Sequence, residues 1–175
     1  KLERRYAAFD GLNLTWETLE GLVQHNGPLL TRDGLPIARY AERGLPVVLL
    51  EYDAENDLAL DTFAGAEAQA AAIADDIAYN AHDIDDGLRA GLFDFSDVAE
   101  VDFLRDLGRE IKQLYPDLDR PRLIHELVRR VITHFIEDVI GESRRRLAKA
   151  GVSSADGVRA LPSPVIGASE ATESV

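Results

Sequence analysis

Residues 74–86 read Ala-Asp-Asp-Ile-Ala-Tyr-Asn-Ala-His-Asp-Ile-Asp-Asp, an alanine-containing run free of proline and glycine that favours helix. Asp75, Tyr79 and Asp83 recur within it every four residues. At about 100° per residue, steps of four drift by only about 40°. Two carboxylates and a phenol therefore share one edge of the helix. A carboxylate one turn from a Tyr, and two turns from a second carboxylate, can hold a divalent metal beside a bound sugar. The competing reading is a solvated acidic face, since the chain carries 32 Asp and Glu residues and such spacings also arise by chance.

Outward from this run, Ala68, Ala72, Ile73, Ile77, Ile84 and Leu88 form an apolar face over about residues 64–91. Upstream, Thr15 is a plausible N-cap for a helix that turns Trp16, Leu19, Leu22 and Val23 inward and stops at Asn26-Gly27-Pro28. Residues 1–9 read as a helix tail before the turn Asp10-Gly11, residues 31–34 as a turn, and residues 36–44 as a short helix opened by Pro36 and closed by Gly44. The run from Pro46 to Asp57 fits strand or buried helix, and helix is preferred.

Downstream, one or two helices are expected between Ser96 and Tyr115, ended by Pro116. Asp119 then caps a long helix with Pro121 in its first turn. Its apolar pairs recur at 123/124, 127/128, 131/132, 135/136 and 139/140, a wide buried stripe. Arg144, Arg145, Arg146 and Lys149 complement its dipole before Gly151. The expectation is an all-α domain over residues 1–152, followed by a loop or disordered tail over residues 153–175, where Ser, Ala, Pro and Gly dominate.

A formal charge of −13 argues against a general nucleic-acid binder. With no Cys, any metal must be held by His and carboxylate. No apolar run approaches the roughly 20 residues of a membrane span. The chain has no Met and opens on Lys-Leu-Glu-Arg-Arg-Tyr, so it reads as part of a longer protein.

Other candidates have ordinary explanations. Neighbouring residues on a helix point about 100° apart, so the dipeptide His82-Asp83 would grip one metal only at an irregular turn. His25 and His134 suit dipole or core roles. Arg120, Arg122 and His125 form a small cationic group that could meet phosphates, although solvation explains them as well.

Residues 9–15 (Phe-Asp-Gly-Leu-Asn-Leu-Thr), residues 17–28 (Glu-Thr-Leu-Glu-Gly-Leu-Val-Gln-His-Asn-Gly-Pro), and Glu67-Ala68-Gln69 leading into Asp75-Asp76-Ile77-Ala78-Tyr79 together resemble the bacterial deoxyguanosinetriphosphate triphosphohydrolase-like family of HD-domain phosphohydrolases. The similarity covers about residues 1–150. The resemblance implies an all-α, multi-helix HD-type domain that cleaves a deoxynucleoside triphosphate to deoxynucleoside and triphosphate. A divalent cation such as Mg or Mn would be held by a His, a His-Asp pair and a later Asp. Asp75 matches the later Asp, and Tyr79 and Asp83 match residues under the deoxyribose and at its 3′-hydroxyl. Arg122 is the expected neutraliser of the triphosphate. By this alignment His82-Asp83 is not the name-giving pair, and no catalytic residue is assigned within the chain. By the resemblance this stretch corresponds to the C-terminal two-thirds of the enzyme and is inactive by itself. A cytoplasmic, homo-oligomeric enzyme without membrane contact is expected. Another HD-type nucleotide phosphohydrolase and a non-catalytic helical interaction module are the alternatives.

Overall fold

The computed structural model describes residues 7–9 and 11–173. Their secondary structure is helical: α1 Trp16–Gln24, α2 Val47–Asn56, α3 Ala66–Ala90, α4 Phe95–Val98, α5 Asp102–Leu114, α6 Arg120–Ala150, α7 Ala155–Arg159 and α8 Glu170–Glu173. Among the described residues the only β pairing is one isolated bridge between Leu30 and Pro36. The fold is all-α. Most of the expected helix tail over residues 1–9, and Asp10 of the turn after it, lie outside the described residues.

The chain divides into two compact units. The first comprises Lys1–Ala72 and Ala150–Val165. Its core is Leu29, Leu45, Leu58 and Leu60, against which Trp16, Leu19, Val23 and Tyr40 pack. Thr15 caps α1, its hydroxyl accepting the Thr18 N–H. The Trp16 indole donates to the Asp57 carbonyl at 3.0 Å, and the buried Gln24 carboxamide donates to the Leu58 carbonyl at 2.7 Å. These two bonds fasten α1 to the backbone just after α2.

Three expectations are corrected in this unit. Leu22 is half exposed rather than inward. Residues 36–44 hold only a single 3-10 turn, Ala38–Tyr40. The segment beyond Ser153 is not a loop throughout. Ser154 caps α7 by accepting the Gly157 N–H, and Val158 and Val165 are buried. Arg159 on α7 reaches Glu20 on α1 with bonds of 2.6 and 3.1 Å. Gln69 holds Val165, its Oε1 accepting the Val165 N–H at 2.9 Å while its Nε2 donates to the Ala64 carbonyl at 2.8 Å. Long-range polar contacts and single small apolar residues, rather than a periodic face, organise this segment.

The second unit comprises Ile73–Lys149 and Ile166–Val175. Leu88, Val98, Leu104, Ile111, Ile124, Leu127 and Val131 form its main core. Asp94 caps α4 in a reciprocal capping box with Asp97. Asp119 accepts the Arg122 N–H at the start of α6. Toward the far end of α6, Asp138 accepts both the N–H and the hydroxyl of Ser169 at 2.8 Å. Ser143 accepts the Gly167 N–H at 3.2 Å.

Along α6 the motif Glu-x-x-Arg-Arg occurs twice, as Glu126/Arg129/Arg130 and Glu142/Arg145/Arg146, with bonds of 2.8 to 3.0 Å in the first cluster and 2.7 Å in the second. Arg130 also binds Glu110 of α5 at 2.7 Å, so the first cluster ties two helices. Hydrogen bonds from Arg129 and then Arg130 hold the Glu126 carboxyl down at about 2, and those from Arg145 and then Arg146 do the same for Glu142. Both folded values lie below the ordinary 4.5. The stabilisation is therefore present in full above that value and is lost as pH falls toward about 2. Glu126→Gln and Glu142→Gln should each flatten the fall of Tm with pH in this window, while lowering Tm near neutrality. Thermal melts at stepped pH measure both effects.

Candidate functional site

Ile77, Ala81 and Leu88 mark the buried face of α3. Asp75 lies two residues before Ile77, about 200° around the helix, and is exposed. Tyr79 lies about 40° from Asp75 around the helix and Asp83 about 80°, so the three residues follow a diagonal across the exposed side of α3. Tyr79 is 66% exposed.

Two hollows in the second unit border this diagonal, each of about 370 Å³. The first lies by Tyr79, between α3, α6 and the Ala168–Thr172 segment, and Asp76 and Asn80 also line it. The second lies by Asp83 and is walled by Phe93, Phe103, Leu104 and Phe135. Asn80 borders both. Asp75 lines neither, so the structure sets Asp75, Tyr79 and Asp83 on one edge without gathering them into either hollow.

The cationic candidates are engaged locally. Arg120 donates to the Leu88 carbonyl at 2.9 Å, satisfying an end of α3, and its guanidinium lies over the Phe95 ring. Arg122 pairs with Asp119 at 3.0 Å and is largely exposed. Arg120 meets α3 at Leu88, thirteen residues or roughly 20 Å along the axis from Asp75, so its guanidinium is not beside Asp75. Asp85 is held below its usual carboxylate range, first by its hydrogen bond from Arg89, with His125 and His82 adding weaker attraction. His134 stacks on Phe103 with centroids 4.4 Å apart.

Among the described residues no group of three or more His, Asp or Glu converges as a metal site. Also among the described residues, no helix is long and apolar enough to cross a membrane.

From the sequence Asp76 reads as solvated charge, and nothing singles out Asn80. They repeat the four-residue spacing of Asp75 and Tyr79 on a line turned by about 100°, and the helical wheel alone could have paired them.

No protein-family model matches the chain. Curated proteins match it closely. A deoxyguanosinetriphosphate triphosphohydrolase-like protein of Parvibaculum lavamentivorans is 55% identical over 167 residues, 95% of this chain and 41% of that protein. The protein of the same name from Rhodopseudomonas palustris is 54% identical over 165 residues, 94% of this chain and 41% of its own length. That from Rhizobium meliloti is 56% identical over 160 residues, 91% of this chain and 38% of its own length. Over these stretches the chain is a homologue of the triphosphohydrolase-like family. It spans about two-fifths of these triphosphohydrolase-like relatives, not the two-thirds expected from the sequence.

Proposed function

We propose that the protein carrying this stretch is a metal-dependent triphosphohydrolase that splits a deoxynucleoside triphosphate, dGTP foremost, into deoxynucleoside and inorganic triphosphate. The observation that carries the reading is the exposed diagonal Asp75–Tyr79–Asp83 on α3, in a chain homologous to proteins named for this activity. In this reading Asp75 is the one metal ligand of the stretch, in an HD-type site whose other ligands are not among the described residues. Tyr79 lies under the deoxyribose, which an aromatic face tolerates and a ribose 2′-hydroxyl would crowd. Asp83 accepts the 3′-hydroxyl hydrogen bond. Arg122 would meet phosphate only after leaving Asp119. A homo-oligomeric, cytoplasmic enzyme is part of the same proposal.

The test is product analysis with the full-length protein, dGTP and Mg or Mn. Deoxyguanosine with intact triphosphate supports the reading; dGMP, dGDP or free phosphate as first products rejects it. Asp83→Ala should lower kcat/KM roughly tenfold to a hundredfold, because a hydrogen bond to a charged group is worth about 1.5–3 kcal/mol. An exposed carboxylate contributes little packing, so stability should move by less than about 1 kcal/mol. Steady-state kinetics and a thermal melt of the same variant check both halves. Normal kinetics with a large drop in Tm would assign Asp83 to the fold.

A further inference from the structure

The hollow beside Tyr79 has a floor and a rim of different chemistry. Ile73, Ile77, Val139 and Ala168 make an apolar floor, and Asp76 and Asn80 stand on it from one edge of α3. Four residues apart on a helix, their side chains are neighbours. No hydrogen bond or ion pair engages either side chain among the described residues. A carboxylate and a carboxamide side by side above an apolar floor suit a flat heteroaromatic ring, with its faces on the floor and its hydrogen-bonding edge on the rim. The volume of about 370 Å³ falls within the range of small-molecule sites.

We infer that this hollow receives the nucleobase, and that Asp76 and Asn80 select guanine; the inference rests on the triphosphohydrolase reading above. The Watson–Crick edge of guanine presents an acceptor, O6, followed by two donors, N1–H and the 2-amino group. The Asn80 amide donates to O6. The two oxygens of Asp76 accept from N1–H and the 2-amino group, a bidentate charge-assisted pair. Adenine would bring its N1 lone pair against the Asp76 carboxylate. Thymine has one donor between two carbonyls, and cytosine sets acceptors beside its single amino group. Each of these leaves anionic oxygen facing oxygen or an unprotonated nitrogen. Tyr79 borders the same hollow, so a sugar above its ring leaves the base free to turn inward.

The decisive variant exchanges the two groups: Asp76→Asn with Asn80→Asp, which changes neither composition nor net charge. The new carboxamide donates to adenine N1 and the new carboxylate accepts from its 6-amino group. Wild-type full-length protein should prefer dGTP to dATP, and to dITP, which lacks the 2-amino group. The exchange should move the dGTP:dATP ratio of kcat/KM toward dATP by roughly tenfold to a hundredfold, the discrimination typical of a bidentate base contact. Asp76→Asn alone should reduce the dGTP:dITP ratio. Equilibrium binding of deoxyguanosine and deoxyadenosine, measured with EDTA present, gives a readout independent of turnover. If the protein hydrolyses dNTPs but the exchange leaves both ratios unchanged, the hollow is not the base site and the triphosphohydrolase reading stands. If no dNTP is hydrolysed while deoxyguanosine binds in an Asp76-dependent way, the reaction assignment falls and the hollow stands. Equal binding of both nucleosides by the wild type overturns the inference.

Discussion

Arg159→Met is expected to destabilise the first unit by about 3–5 kcal/mol, the usual result of removing one partner from a buried ion pair. Glu20 is 1% exposed. Its two oxygens receive Arg159 Nε at 2.6 Å and the terminal guanidinium nitrogen at 3.1 Å. Its remaining contact, with the Gly65 N–H, is long at 3.4 Å. Methionine would fill much of the space of Arg159 while leaving a carboxylate buried without its cation. For a chain of this size the loss corresponds to a drop in Tm of roughly 6–20 °C. Arg159 also stacks over the ring of Trp16, 4.9 Å from its centroid. Trp16 is the sole tryptophan, so its fluorescence reports this contact without interference. The double variant Glu20→Gln with Arg159→Met should recover a large part of the loss, because it removes the stranded charge as well. If Arg159→Met melts within about 1 kcal/mol of the wild type, the pair is no more than an exposed contact would be.

The largest expected effect on activity is that of Asp75→Asn in the full-length protein. If Asp75 donates a bond to the metal, its loss should lower kcat/KM by at least about a hundredfold, since even residues that only support a ligand typically cost 10–100-fold. The concentration of Mn or Mg required for half-maximal activity should rise. Asp75 is exposed, so Tm should hold to within about 0.5 kcal/mol of stability. Asp86→Asn is the matched control: Asp86 lies about 20° from Asp75 around α3 but three turns along it. Equal losses from the two substitutions would mean that the helix acts through its net charge. Unchanged turnover with Asp75→Asn would remove Asp75 from the site.

Much of this architecture is readable from local signals. Thr15 announces α1 because a hydroxyl before a helix has a backbone N–H to satisfy, and it does so here. The Ala-rich stretch gives α3 and the paired apolar residues give α6, both long enough for periodicity to dominate. The unread parts are those whose cause lies far away in sequence. α7 has five residues, too few to show an amphipathic period, and Arg159 anchors it to a partner on α1. The unread exposure of Val47 and Val48 on α2 also follows from tertiary arrangement rather than residue type. At the candidate site, the spacing of Asp75, Tyr79 and Asp83 was legible, whereas the two hollows were not, because the rings and small residues lining them come from separate segments. Arg120 and Arg122 show the same limit from the other side. A guanidinium suited to phosphate is equally suited to a helix-end carbonyl or a neighbouring carboxylate, and the local partners are the ones it has found.

The separation of Glu20 from Arg159, 139 residues along the chain, sets a schedule for synthesis. At the usual 5–20 residues per second, roughly 7–28 s pass between the appearance of the carboxylate and that of its cation. During that interval α1 has its cap and its apolar residues but no counter-charge for Glu20, which therefore stays hydrated and keeps the first unit from closing around it. The N-terminal segment should remain protease-sensitive on ribosome-bound chains arrested before Arg159 emerges, and become protected on chains that expose it. Closure of the first unit would then be timed by nearly the last helix translated in this stretch.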